Sequence, residues 1–149
     1  MTLGYEELEE LVRAEMRKAY SEVTIDHAMN PRNLGRIEDA DGFGKITGPC
    51  GDTMEIWLKV RNGVVTEATF LTDGCGTTIA SGSMITELAK GKSIPGAQRV
   101  RRQDVLDALG GLPEESVHCA LLAANTMKAA VKDYFTLRSE PWKRVYRKY

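Results

Sequence analysis

Val64-Val65-Thr66-Glu67-Ala68-Thr69-Phe70-Leu71-Thr72-Asp73-Gly74-Cys75-Gly76-Thr77-Thr78-Ile79-Ala80-Ser81-Gly82-Ser83-Met84-Ile85-Thr86-Glu87-Leu88 changes its period part-way along. Up to Thr72 the residues alternate and are rich in β-branched types, which predicts a strand. From Ile79 onward the apolar residues recur at helical spacing. Cys75 sits where the strand hands over to the helix. Glycines on either side let backbone come close to whatever the sulfur holds. A cysteine at a helix N-terminus feels the positive end of the helix dipole, which favours thiolate over thiol. Cys75 is therefore a candidate ligand or nucleophile.

Reading outward, Thr53 to Val60 alternates strongly and predicts a second strand. Arg61-Asn62-Gly63 joins it to the strand above, and Asn-Gly between two alternating runs signals a tight hairpin. Phe43, Lys45, Ile46 and Thr47 suggest a shorter strand that breaks at Gly48-Pro49-Cys50-Gly51-Asp52. Three sequential strands with short connections imply an antiparallel meander. Residues 5–20 carry Tyr5, Leu8, Leu11, Val12, Met16 and Tyr20 at helical spacing, with acids early and bases late. A second helix, Glu22 to Met29, stops at Asn30-Pro31, and Asn33 to Asp41 reads as loop. Thr77 to Ala89 is a helix ending at Lys90-Gly91. Lys92 to Ala97 reads as a turn around Pro95, and Gln103 to Leu109 as a short helix. Leu112-Pro113-Glu114-Glu115 opens a last helix whose Val117, Ala120, Leu121, Ala124, Met127, Val131 and Phe135 share one face. Strands and helices are segregated along the chain, so the expected class is α+β: a three-stranded antiparallel sheet packed with helices, with the helix over 117–135 covering it.

A length of 149 residues predicts one domain spanning 1–149. Its apolar share of 42% and charged share of 28% are those of an ordinary globular protein. A net charge of -1 gives no electrostatic signature of a nucleic-acid or membrane partner. The basic tail over 138–149, with Arg138, Lys143, Arg144, Arg147 and Lys148, reads as a solvated or partner-docking segment. No apolar run reaches the roughly 20 residues of a transmembrane helix, and the acidic N-terminus is unlike a signal peptide. The expected location is cytoplasmic. Three cysteines, an odd number, argue against a disulfide framework.

Cys50, Cys75 and Cys119 each fall near the end of an element, where loops converge. Soft thiolates select iron–sulfur clusters, zinc or copper(I). Three cysteines leave one position of a four-ligand site open. Asp52, two residues after Cys50, can point into the same space; His118, next to Cys119, is the alternative. Asp52 reads equally well as a turn aspartate bonding local backbone, and His118 as a helix-surface histidine. His27 reads as structural. The cysteine spacings lack the Cys-x-x-Cys pairs of zinc ribbons, ferredoxins and thioredoxin-like enzymes, so the surrounding residues carry more information than the intervals do.

Those residues resemble a known family. Tyr20-Ser21-Glu22, Asp26-His27, Asn30-Pro31-Arg32-Asn33-Leu34-Gly35, Ile37-Glu38-Asp39-Ala40-Asp41-Gly42, Cys50-Gly51-Asp52, Gly74-Cys75-Gly76, Ile79-Ala80-Ser81 and Val117-His118-Cys119 are similar, in order, to the IscU/NifU N-terminal family of iron–sulfur cluster assembly scaffolds. The resemblance implies the SufE/NifU-like fold and a scaffold rather than an enzyme. Such a scaffold takes sulfur from a cysteine desulfurase and iron from a donor, builds a labile 2Fe–2S cluster and passes it to recipient apo-proteins. It implies cluster ligation by Cys50, Cys75 and Cys119 with Asp52 or His118, a role for Asp52 in cluster lability, and Cys119 as a favoured persulfide acceptor. Zinc in the apo scaffold is also implied. A cluster so held needs shelter, which a homodimer or trimer would give.

Two departures qualify the resemblance. Many members carry Leu-Pro-Pro-Val-Lys, a chaperone site, where this chain has Leu112-Pro113-Glu114-Glu115-Ser116, so the resemblance does not decide chaperone-assisted transfer. The interval from Cys75 to Cys119 lacks the insertion of the SufU branch of zinc proteins. A zinc-dependent sulfurtransferase accepting persulfide sulfur is therefore the alternative rather than the leading expectation. The extra N-terminal helix over 1–19 and the basic tail lie outside the resemblance.

Overall fold

A computed structural model describes residues 4–146, the side chain of Tyr146 excepted. Three strands, β1 (Gly42–Thr47), β2 (Thr53–Arg61) and β3 (Val64–Thr72), form one antiparallel sheet in the order β1-β2-β3. The helices are α1 (Tyr5–Met16), α2 (Glu22–Met29), α3 (Gly76–Ala89), α4 (Ile94–Gln98), α5 (Arg102–Leu109) and α6 (Val117–Ser139). Short 3-10 turns, Glu114–Ser116 and Pro141–Tyr146, flank α6. This is the α+β meander expected from the periodicities. At the hairpin, Asn62 and Gly63 both have positive φ, 55° and 73°, as a type I′ turn requires.

Register assigns the sheet's two faces. Met54, Ile56 and Leu58 of β2 pair with Thr72, Phe70 and Ala68 of β3, and with Ile46, Gly44 and Gly42 of β1. Alternation turns all nine toward one side. There α3 and α6 bury Ala80, Met84, Ile85, Ala120, Ala123, Met127, Ala130 and Val131 against them. Trp57 stands on the opposite face, fully buried, its ring 5.2 Å from that of Phe43 and with the Arg36 guanidinium 6.0 Å from its centroid.

Two close approaches set how near the helices lie. A Cβ on Gly44 would come within 2.5 Å of the Thr126 carbonyl oxygen, and one on Gly42 within 2.5 Å of the Ala130 carbonyl oxygen. Backbone of α6 thus rests directly on backbone of β1. A Cβ on Gly82 would likewise meet the Phe70 ring at 2.5 Å, so α3 sits equally close to β3.

Both outer strands have bonding positions on their free edges taken. On β3, the Phe70 amide donates to the Asn33 carbonyl and the Gly35 amide to the Phe70 carbonyl, each at 3.0 Å; the Val65 amide donates to Lys92 at 2.9 Å. On β1, the Phe43 amide donates to an Asp133 carboxylate oxygen at 2.8 Å.

Three expectations need correcting. The first helix ends at Met16 rather than continuing to residue 20, and no residue in it is buried. Its apolar stripe faces outward, with Tyr5 81% and Leu8 53% exposed. Periodicity establishes an apolar face but not what covers it. Arg17, paired with both Glu10 and Glu22, fixes the corner into α2. Second, Lys92 to Ala97 is no simple turn, because α4 begins within it. Ser93 caps that helix, accepting from the Gly96 amide at 3.1 Å, and Pro95 lies in its first turn, where the missing amide costs nothing. Third, the tail is not simply solvated. Arg144 donates to Asp39 at 2.9 Å and to Asp41 at 3.2 Å, and Lys143 pairs with Glu140. Residues 1–3 of the N-terminal segment, and Arg147 and Lys148 of the tail, lie outside the described residues.

His27 is buried between α2 and α3, with Nδ1 2.7 Å from Ser83 Oγ. Ser83 Oγ also accepts from the Arg32 amide at 2.9 Å, so its own hydrogen is left for His27. Burial first, and the Arg32 charge second, pull the His27 pKa below its usual value, against the opposing charges of Asp26 and Glu87. The neutral ring belongs to the fold. Stability linked to His27 is therefore complete above the ordinary histidine range near 6.5 and falls as pH drops below it, because the unfolded chain then binds the extra proton. Urea midpoints measured at pH 7.5 and 5.5 should fall more for the wild type than for His27→Gln. Equal declines would remove His27 from the account.

Candidate functional site

The strand ends bring the cysteine loops together. Thr47 of β1 pairs with Thr53 of β2, so the turn holding Cys50 leaves the sheet at the end where β3 finishes. Asp73, just past β3, accepts from the Thr53 amide at 2.7 Å, and Thr72 Oγ1 donates to the Thr53 carbonyl at 2.6 Å. The start of α6 reaches the same end, with Leu122 packed near Gly48.

Cys75 is the N-cap residue of α3, with extended φ and ψ of −81° and −172°. Cys119 lies in the first turn of α6, 2% exposed. One hydroxyl spans the two: Thr77 Oγ1 is 3.4 Å from Cys75 Sγ and 3.4 Å from Cys119 Sγ. A second hydroxyl, Thr78 Oγ1, lies 3.4 Å from Cys119 Sγ and donates to Asp52 Oδ2 at 3.0 Å. His118 Nε2 is 3.7 Å from Cys119 Sγ. Both threonines are buried. The Thr77 hydroxyl, then the amides of Thr77 and Thr78 at the start of α3, hold the Cys75 thiol below its usual pKa, against its partial burial.

The structure thus links Cys75, Cys119, Asp52 and His118 through short contacts. Cys50 is exposed in its own turn at the same end of the sheet. Among the described residues, no three His, Cys, Asp or Glu side chains meet closely enough to hold a single metal ion. Instead, the threonine hydroxyls stand between the sulfurs and the carboxylate. Sequence reasoning missed Thr77 and Thr78. Their signal was there: two hydroxyls at the second and third helical positions after a capping cysteine, where side chains turn back toward the cap.

A recess of about 290 Å³ opens beside Cys75. Met16, Tyr20, Ile25, Ala28 and Gly76 line it together with Thr24, Thr77 and Ser116. Predominantly apolar walls next to an exposed, thiolate-favouring sulfur give that sulfur partial shelter from water without closing it off.

Residues 19–140 match the model of the NifU-like N terminal domain family. The chain belongs to that family. Its match starts close to the end of α1 and finishes with α6, so the NifU-like domain comprises the sheet, the three cysteines and α2 to α6. Among curated NifU-like relatives, the chain is 49% identical over 117 residues to iron–sulfur cluster assembly scaffold protein IscU 1 of Archaeoglobus fulgidus, covering 78% of this chain and 76% of that protein. It is 44% identical over 125 residues to iron–sulfur cluster assembly scaffold protein IscU of Escherichia coli K12, covering 80% and 97%. The NifU-like fold is also seen in the crystal structure of a nitrogen-fixing NifU-like protein (N-terminal) from Brucella abortus, with a TM-score of 0.64 at 20% identity over 81% of this chain and 97% of that one.

Proposed function

We propose that the protein is a scaffold on which a labile 2Fe–2S cluster is assembled and from which it is handed to apo-proteins, a carrier rather than an enzyme. The observation that carries this reading is the bridged pair, Cys75 and Cys119, each within 3.4 Å of one buried hydroxyl, with the Asp52 carboxylate one hydrogen bond further on. Such a set offers soft sulfur to iron and one hard, exchangeable oxygen. Cys50, Cys75 and Cys119 are the proposed thiolate ligands, with Asp52 or His118 as the fourth. The cluster is the protein's cargo. Its iron comes from an iron donor and its sulfur from a cysteine desulfurase as a persulfide, whose outer sulfur a second thiol reduces to sulfide as a disulfide forms. The 44–49% identity to proteins named as cluster assembly scaffolds supports the reading. The proposed working unit is the single NifU-like domain, in a cytoplasmic setting; among the described residues no helix is long and apolar enough to cross a membrane.

Anaerobic reconstitution with ferrous iron, cysteine and a cysteine desulfurase tests this. A 2Fe–2S absorption spectrum should develop and then be lost to an added apo-ferredoxin. If zinc stays bound, no cluster forms and desulfurase turnover rises, the protein is a sulfurtransferase instead. Asp52→Ala removes the exchangeable oxygen and leaves His118 beside Cys119. Cluster release to a chelator should slow measurably. Faster release would mean that Asp52 holds the cluster rather than loosening it.

A further inference from the structure

The two linked sulfurs differ in access. Cys75 is exposed, whereas Cys119 is 2% exposed and has the hydroxyls of Thr77 and Thr78 each 3.4 Å from its sulfur. A bulky sulfur donor can reach the first but not the second without moving α3 or α6. Because Thr77 Oγ1 touches both sulfurs, the gap between them cannot exceed those two contacts laid end to end. One extra sulfur atom on Cys75 would narrow that gap further.

We infer that sulfur enters this protein at Cys75 and passes within the molecule to Cys119, with Thr77 carrying the proton between them. This rests on the scaffold reading, which requires sulfur to be accepted as persulfide. In the entry step, the Cys75 thiolate attacks the outer sulfur of an incoming persulfide. A new S–S bond forms on Cys75 and the donor's thiolate leaves. In the second step, the Cys119 sulfur attacks the outer sulfur of that Cys75 persulfide. An S–S bond forms on Cys119, the S–S bond to Cys75 breaks, and the Cys75 sulfur leaves with the bonding pair and is protonated to a thiol. Cys119 loses its thiol hydrogen to Thr77 Oγ1 as that hydroxyl gives its own to the departing Cys75 sulfur. Atoms, charge and oxidation state balance, and no further reactant is needed. Thr77 suits the task because a hydroxyl can accept on one side while it donates on the other. Thr78 suits it less, since its hydrogen is directed at Asp52. Thr77 is thus a positioning and proton-carrying residue, and the sulfur chemistry belongs to the cysteines.

The test needs neither iron nor a desulfurase. Wild-type protein is mixed with a small molar excess of glutathione persulfide and quenched with an alkylating reagent at successive times. Peptide mass spectrometry then follows the extra sulfur at Cys50, Cys75 and Cys119. It should appear on Cys75 first and on Cys119 afterwards, as the Cys75 signal falls. In Thr77→Val it should accumulate on Cys75 and reach Cys119 at least about tenfold more slowly, while Thr77→Ser restores the wild-type course. A merely structural role for the Thr77 methyl and hydroxyl would not separate valine from serine in this way. Unchanged loading of Cys119 in Cys75→Ser, or wild-type transfer in Thr77→Val, would overturn the relay. The scaffold reading stands or falls separately. A protein that relays sulfur but forms no cluster refutes the scaffold alone, and one that yields a transferable cluster without the relay refutes only the relay.

Discussion

Cys75→Ser is expected to raise the stability of the apo-protein and abolish its cluster. Cys75 occupies the N-cap position of α3 with the extended backbone that a capping residue adopts, and its sulfur faces the Thr77 and Thr78 amides, but as a weak, bulky acceptor it closes no capping hydrogen bond with them. Serine is among the best N-cap residues, because its oxygen reaches the second or third amide, here those of Thr77 and Thr78. The gain should be about 0.5–1 kcal/mol, seen as a rise of roughly 1–4 °C in Tm. Cys75 is exposed, so little packing is lost in exchange. In reconstitution, the same variant offers iron a hard oxygen in place of a soft sulfur. Its cluster absorbance should fall at least about tenfold. A variant that melts lower than the wild type, or fills normally with cluster, would remove Cys75 from the position argued for it. The combined outcome, a firmer fold with no function, would also explain why a poor capping residue stands at the head of this helix.

The second large effect lies in the fold. Gly44→Ala places a methyl group 2.5 Å from the Thr126 carbonyl oxygen and 2.6 Å from the Ala130 amide nitrogen. Both are backbone atoms of a regular helix and cannot turn aside as a side chain would. Either α6 lifts from β1 or the strand bends, and overpacking of this kind costs about 3 kcal/mol. The urea midpoint should fall steeply. Since α6 carries Cys119 in its first turn, the spacing between Cys119 and Thr77 should change as well. Gly48→Ala is the control, because its nearest neighbours, two Leu122 methyl groups at 3.7 Å and 3.8 Å and the Asp52 carbonyl oxygen at 3.8 Å, stand at ordinary van der Waals distance. Comparable losses in the two variants would refute the account of a backbone contact between β1 and α6.

How far the sequence foretold these positions depends on the range of the interaction. The strands, the Asn62-Gly63 hairpin and the handover at Cys75 were legible because each is written in neighbouring residues. α4 was not, because Pro95 signals a break when read alone and a helical first turn only when Ser93 is read with it. The outward stripe of α1 was legible as a face, but its exposure depends on tertiary packing that no local pattern records. At the site, the cysteines stood out by type and neighbourhood. Thr77 and Thr78 did not, because buried threonines within a helix ordinarily bond back to the preceding turn, as Thr86 does to Gly82 and Thr126 to Leu122. Only the fold brings them Cys119 from α6 and Asp52 from the turn between β1 and β2.

The bonding positions taken at the edges of the sheet bear on how copies of the protein can meet. An outer strand with free amides and carbonyls is a template onto which another chain can add, and repeated addition leads to open-ended fibres. Asn33 to Gly35 and Lys92 take up bonding positions along β3, while Asp133 takes the Phe43 amide on β1. These contacts take bonding positions that an added strand would need, so another chain cannot extend the sheet in register past those residues.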